Sequence, residues 1–134
     1  STPEGPADLE VTVDELHALT SNGSRRLAHT NHCLHPELAA INDRFPELIQ
    51  SHARKRRVDG HLARPIECSG IDFVKEILRD HEDYPRSICR HANEDPQYGF
   101  WETVFSVIIQ PESRRMHITR GTPCKREYEV YDMP

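Results

Sequence analysis

The sequence predicts an α+β protein with antiparallel strands at both ends and helices between them. Two observations carry the strands. Leu9, Val11 and Val13 alternate with Glu10 and Thr12 near the start, and residues 103–109 form a β-branched and aromatic run near the end. A third carries the helices: apolar side chains recur at three- and four-residue steps through the middle of the chain.

Residues 1–7 are rich in Pro and Gly and are expected to be irregular. The alternation from Leu9 predicts a half-buried strand. Ser21-Asn22-Gly23-Ser24 predicts a turn, and residues 26–33 a second strand, giving a hairpin with a long connection. Residues 36–64 read as helical through Leu38, Ile41, Phe45, Leu48 and Ile49, with Pro46 breaking or kinking the run. Arg54, Arg57, His61 and Arg64 then share one face. Ser69-x-x-Asp72 resembles a capping box ahead of an amphipathic helix whose apolar face is Ile71, Val74, Ile77 and Leu78. Residues 83–99 are loop-rich. The end predicts a three-stranded antiparallel meander: residues 103–109, a turn at Pro111-Glu112-Ser113, residues 115–119, a turn at Gly121-Thr122-Pro123, and residues 127–131.

At 134 residues the chain can bury one core, and 1–134 is read as a single domain or a fragment of one. A hydrophobic fraction of 36% beside 29% charged residues suits a small or half-finished core with some apolar surface left for a missing half. A net charge of -5 argues against a nucleic-acid partner. No apolar run approaches a membrane span, and no charged-then-apolar leader opens the chain, so a cytoplasmic location is expected. The four cysteines, Cys33, Cys68, Cys89 and Cys124, are widely spaced with no C-x-x-C pair, which points to free thiols.

Three strings carry candidate chemistry. In His29-Thr30-Asn31-His32-Cys33-Leu34, the Asn31 amide can donate to a developing oxyanion, or it can satisfy backbone groups where a strand ends. In Ser51-x-x-Arg54-x-x-Arg57, two arginines one turn apart can bind a carboxylate, hold a helix on a sheet, or form a solvated basic face. In Tyr84-Pro85-Arg86-Ser87-Ile88-Cys89-Arg90, Ser87 and Arg90 can support a pocket, or the string can be a structural corner with Cys89 packed as a small hydrophobe. His29, His32, Cys33 and His35 are metal ligands by type, but His32 points away from the others on a strand, and no metal is expected.

Together and in this order, these strings resemble the C-terminal part of the acyl-CoA:6-aminopenicillanate acyltransferase and carcinine-hydrolase-like family of cysteine N-terminal-nucleophile (Ntn) hydrolases. The similarity runs from about His29 to Tyr131 and includes Thr103-Val104-Phe105-Ser106-Val107-Ile108 and Gly121-Thr122-Pro123. It implies part of an αββα sandwich, no cofactor, and Asn31 as the oxyanion-stabilising residue. His32, Arg54, Arg57, Ser87 and Arg90 are implied substrate-binding or supporting groups. The family attacks with a cysteine that self-cleavage exposes, and its partner here would be a missing N-terminal portion carrying that cysteine. The substrate would be a small-molecule amide or acyl-CoA. Ser1 is read as a boundary, not as the nucleophile, because the Asn31 motif follows too soon. Penicillin-forming members carry an arginine three positions before the threonine matching Thr103, where this chain has Phe100. The resemblance therefore implies a generic amide hydrolase or acyltransferase, inactive as this chain alone. The competing reading is a non-catalytic binding or regulatory module of the same fold.

Overall fold

A computed structural model describes residues 5–21, 23–45, 49–68, 70–97 and 99–134. The chain divides into two compact units, Ser1–Ala63 and Arg64–Pro134. Among the described residues, no helix is long and apolar enough to cross a membrane.

In the first unit, β1 (Ala7–Val11) pairs antiparallel with β2 (Leu16–Thr20), with Leu9 opposite Ala18 and Val11 opposite Leu16. The four-residue connection is held by Thr12. Its hydroxyl accepts the Asp14 and Glu15 N–H groups, and its own N–H donates to the Glu15 carbonyl at 2.9 Å. This corrects two expectations. The strand predicted over residues 26–33 does not form, and the Ser24 N–H donates to the Ser21 carbonyl outside the hairpin, so this is not its connecting turn.

The burial of β1 is also the reverse of the prediction. Leu9, Val11 and Leu16 are 56%, 65% and 62% exposed, whereas Glu10 is buried. Alternation locates a strand but does not say which face is covered.

A 3-10 turn, Pro36–Leu38, leads into the short helix α1 (Ala39–Asn42), and α2 spans Ile49–Leu62. Pro46 and Leu48 lie outside the described residues. Of the predicted apolar face, Leu38 is buried and Phe45 is exposed. The inward side of α2 is instead small and polar, with Gln50, Ser51, Ala53 and His61 buried and Arg54 and Arg57 half-buried. Lys55 and Asp59 form an i,i+4 ion pair at 2.6 Å, and the Arg26 guanidinium caps the Leu62 carbonyl at 2.6 Å. The basic residues of α2 are therefore not simply a solvated face.

The second unit begins before α3 (Gly70–Leu78), which buries Phe73 and Ile77. The residue proposed to cap it, Ser69, lies outside the described residues. No helix or strand forms among the described residues of 79–104. The predicted meander is present as β3 (Phe105–Gln110), β4 (Arg115–Arg120) and β5 (Glu129–Asp132), in that order in the sheet. Phe105 faces Arg120, Ile108 faces His117, and Met116 faces Tyr131. The β3–β4 turn needs Arg114 at φ 50, a left-handed conformation.

Helix α3 packs on β3, and the sheet face carrying Ser106, Ile108, His117 and Thr119 is buried. Thr119 is fully buried and satisfied: its hydroxyl accepts the Ser106 N–H and donates to the Gly121 carbonyl. The opposite face is open and apolar, with Phe105 58%, Val107 37% and Ile109 57% exposed.

Candidate functional site

The Asn31 motif occupies an irregular loop, not the end of a strand. Without a neighbouring strand, its backbone N–H groups need other acceptors. Side chains supply those of residues 31–35. Ser51, the third residue of α2, is 1% exposed, and its hydroxyl accepts from Asn31 N–H at 2.7 Å and His32 N–H at 3.1 Å. The Asn42 amide takes the Cys33 N–H at 2.8 Å and returns a bond to the Cys33 carbonyl at 2.9 Å. Glu10 takes the last two, from Leu34 and from His35 at 2.9 Å, and also accepts from His29 Nε2 at 2.7 Å. Five consecutive amides are thus clamped by three side chains from three segments.

Protonation follows from this geometry. Burial disfavours the Glu10 carboxylate, but the Leu34 N–H, the His29 ring and the His35 N–H outweigh it and hold the pKa below its ordinary value. Because Ser51 Oγ already accepts from the backbone, its proton goes to His32 Nδ1, 2.9 Å away. Burial, followed by the nearby His52, pushes the His32 pKa down, so this ring is neutral at pH 7. The two rings lie 3.8 Å apart, centroid to centroid.

The Asn31 side chain is oriented by Arg54, whose Nη2 donates to Asn31 Oδ1 at 2.6 Å. A guanidinium only donates, so the amide atom facing it must be the oxygen. Nδ2 is thereby turned the other way, and among the described residues nothing accepts from it. Asn31 is solvent-exposed, so a bound carbonyl oxygen can reach these donors.

The structure brings Asn31, His32 and Arg54 together and adds Ser51, Glu10 and Asn42, which sequence reasoning did not assign to the site. Ser51 stands in the motif whose sequence signal is its two arginines. Arg57 lies one turn further along α2 and is half-buried. Ser87 and Arg90 belong to the second unit. Ser87 is 1% exposed and its hydroxyl donates to the Cys89 carbonyl at 2.6 Å, a loop-forming bond. Arg90 is half-buried; its N–H donates to Thr103 Oγ1 at 3.0 Å and its guanidinium lies over the Trp101 ring. Burial lowers its pKa from the ordinary arginine value.

The ligand types at His29, His32, Cys33 and His35 are dispersed by these bonds to Glu10, Ser51 and Asn42. Among the described residues, possible ligand atoms converge at His17, His35 and Glu37 in the first unit and at His81, Cys89, His91 and Cys124 in the second.

Replacing Ser51 by alanine removes the acceptor for two amides. A loss of about 1–3 kcal/mol is expected, read as a lower denaturant midpoint at unchanged m-value. A midpoint equal to that of the unmodified protein would show that water replaces the hydroxyl.

A profile of the acyl-coenzyme A:6-aminopenicillanic acid acyl-transferase family matches residues 3–125. The 40 kDa form of acyl-coenzyme A:6-aminopenicillanic-acid acyltransferase from Emericella nidulans is 30% identical over 121 residues. The match covers 86% of this chain and 31% of that relative, so the chain spans about a third of the relative's length. The Asn31, Ser51–Arg57 and Ser87–Arg90 strings all fall inside the matched residues, and the chain belongs to the acyl-coenzyme A:6-aminopenicillanic acid acyl-transferase family.

Proposed function

We propose that the chain is the C-terminal portion of a self-processing cysteine Ntn acyltransferase or amidohydrolase, and that Asn31 is its oxyanion donor. The observation that carries this is the Arg54–Asn31 bond, which leaves the amide NH₂ free to donate from a loop whose N–H groups at 31–35 are clamped. In the intact protein, a cysteine freed by self-cleavage attacks the carbonyl carbon of an amide or acyl-CoA, and its own α-amine takes the thiol proton. The carbonyl π electrons move onto oxygen, where Asn31 Nδ2 donates a hydrogen bond. Collapse of the tetrahedral intermediate expels the amine or the CoA thiol and leaves an acyl-enzyme. Water or an acceptor amine then takes the acyl group.

Two open sheet faces support the existence of further polypeptide. Leu9, Val11 and Leu16 expose one apolar face, and Phe105, Val107 and Ile109 another. Both are the kind of surface that packs against another layer. The substrate class is kept broad, because Phe100 stands where the penicillin-forming members have arginine and is 70% exposed. The four free thiols fit a reducing compartment such as the cytosol.

The test is intact mass and N-terminal sequencing of the protein expressed from its complete gene. Two chains are expected, the one containing Asp132-Met133-Pro134 beginning at a cysteine upstream of this sequence. A single unprocessed chain with no upstream cysteine would overturn the catalytic reading and favour a binding module.

A further inference from the structure

We propose that His81, Cys89, His91 and Cys124 form a tetrahedral Zn²⁺ site that ties the loop after α3 to the turn after β4. Their ligand atoms all lie within 4.8 Å of one another. The separations are 3.6 Å between the two sulfurs, 3.2 Å from Cys124 Sγ to His91 Nε2, 3.9 Å from Cys89 Sγ to His91 Nε2, and 3.0 Å between the two Nε2 atoms. With Zn–S bonds of about 2.3 Å and Zn–N bonds of about 2.0 Å, a tetrahedron has edges of about 3.3–3.8 Å. The four measured edges straddle that range, and a sulfur–sulfur distance of 3.6 Å is too long for a disulfide of about 2.05 Å.

Two imidazole nitrogens face each other with their rings stacked, and two thiols face each other beside them. None of the four supplies a carboxylate, and without a metal the cluster is held only by weak thiol contacts and by hydrogen bonds that converge on the His91 nitrogen. A cation gives all four lone pairs one target. Two thiolates and two neutral imidazoles around Zn²⁺ make a neutral centre, and binding releases the two thiol protons to solvent.

Cys89 is fully buried, and His91 and Cys124 are half-buried.

The ligands are also held in place. Cys89 N–H donates to the Asp80 carbonyl at 2.9 Å, and Ser87 braces the Cys89 carbonyl. Arg79 Nε donates to the carbonyl of buried Pro123 at 2.8 Å, one residue before Cys124. Mixed S₂N₂ tetrahedral donors select zinc over calcium, magnesium or manganese. With four protein ligands the site is closed and structural.

The experiment uses the protein encoded by the complete gene, purified without chelator. Elemental analysis should give about one zinc per chain. Exchange with Co²⁺ should give intense thiolate-to-cobalt absorption in the near ultraviolet and the visible bands of a tetrahedral centre. Cys124→Ser and His91→Gln should weaken metal binding more than the about 10- to 100-fold that loss of an outer-shell partner costs. Cys33→Ser and Cys68→Ser should leave it unchanged. A readout on the unmodified protein guards against variants that fail to fold: Zn²⁺ should block alkylation of Cys89 and Cys124, a chelator should restore it, and exposed Cys68 should label throughout. Absence of zinc, alkylation indifferent to zinc, copper or iron in its place, or a mapped Cys89–Cys124 disulfide would each overturn the proposal.

Discussion

Replacing Asn31 by alanine should lower turnover of the intact, processed enzyme by about 10²- to 10³-fold with its fold retained. The magnitude is that of one preorganised donor at a developing oxyanion. The fold should survive because the loop is held through backbone amides. Ser51 grips the Asn31 N–H, which alanine keeps, and the amide side chain contributes only its bond to Arg54. Asn31→Asp makes a sharper comparison. The carboxylate pairs with Arg54 at least as well as the amide does, but it cannot donate, so turnover should fall at least as far as in Asn31→Ala. Single-turnover acylation rates, with the denaturant midpoint as a control, separate the two effects. Turnover unchanged in Asn31→Ala removes this residue from the mechanism.

The second large effect is expected at Glu10. Its carboxylate is 5% exposed and accepts from Leu34, His35 and His29. Glu10→Ala leaves two loop amides without an acceptor and should cost about 2–4 kcal/mol. Exposed Glu15→Ala should stay within about 0.5 kcal/mol. The pH dependence has a definite sign. The folded pKa of Glu10 is depressed, so its contribution is complete above the unfolded value of about 4.3 and is lost as pH falls through the folded value. Glu10→Gln should therefore flatten the acid limb of stability while leaving the slope near pH 7 unchanged. Chemical denaturation of both variants from pH 7 down to about pH 3 measures this. A slope equal to that of the unmodified protein would show that another carboxylate governs acid unfolding.

The meander was legible because β-branched alternation, turn residues and strand length agreed over residues 103–131. The Asn31 string was legible as a dense polar motif that no amphipathic pattern requires. What the sequence hid were long-range partners. An acidic residue between Leu9 and Val11 reads as solvent-facing, and Glu10 is buried only because its acceptors meet amides 24 and 25 residues away. The real partner of β1, Leu16–Thr20, lacks a Gly or Asn turn before it, since Thr12 closes the connection with its side chain. In the second unit, Cys124 meets His91 from 33 residues further along the chain. A spacing that long carries no recognisable signature.

The clamped loop also has a consequence for how the first unit comes together. Its amides are held from 9, 20 and 25 residues away, by α1, α2 and β1 respectively. None of these bonds can form until the element that supplies it is in place, so each closure draws on order already established elsewhere. The Asn31 loop is therefore a keystone that three elements hold. Releasing it breaks bonds to a hairpin and two helices together.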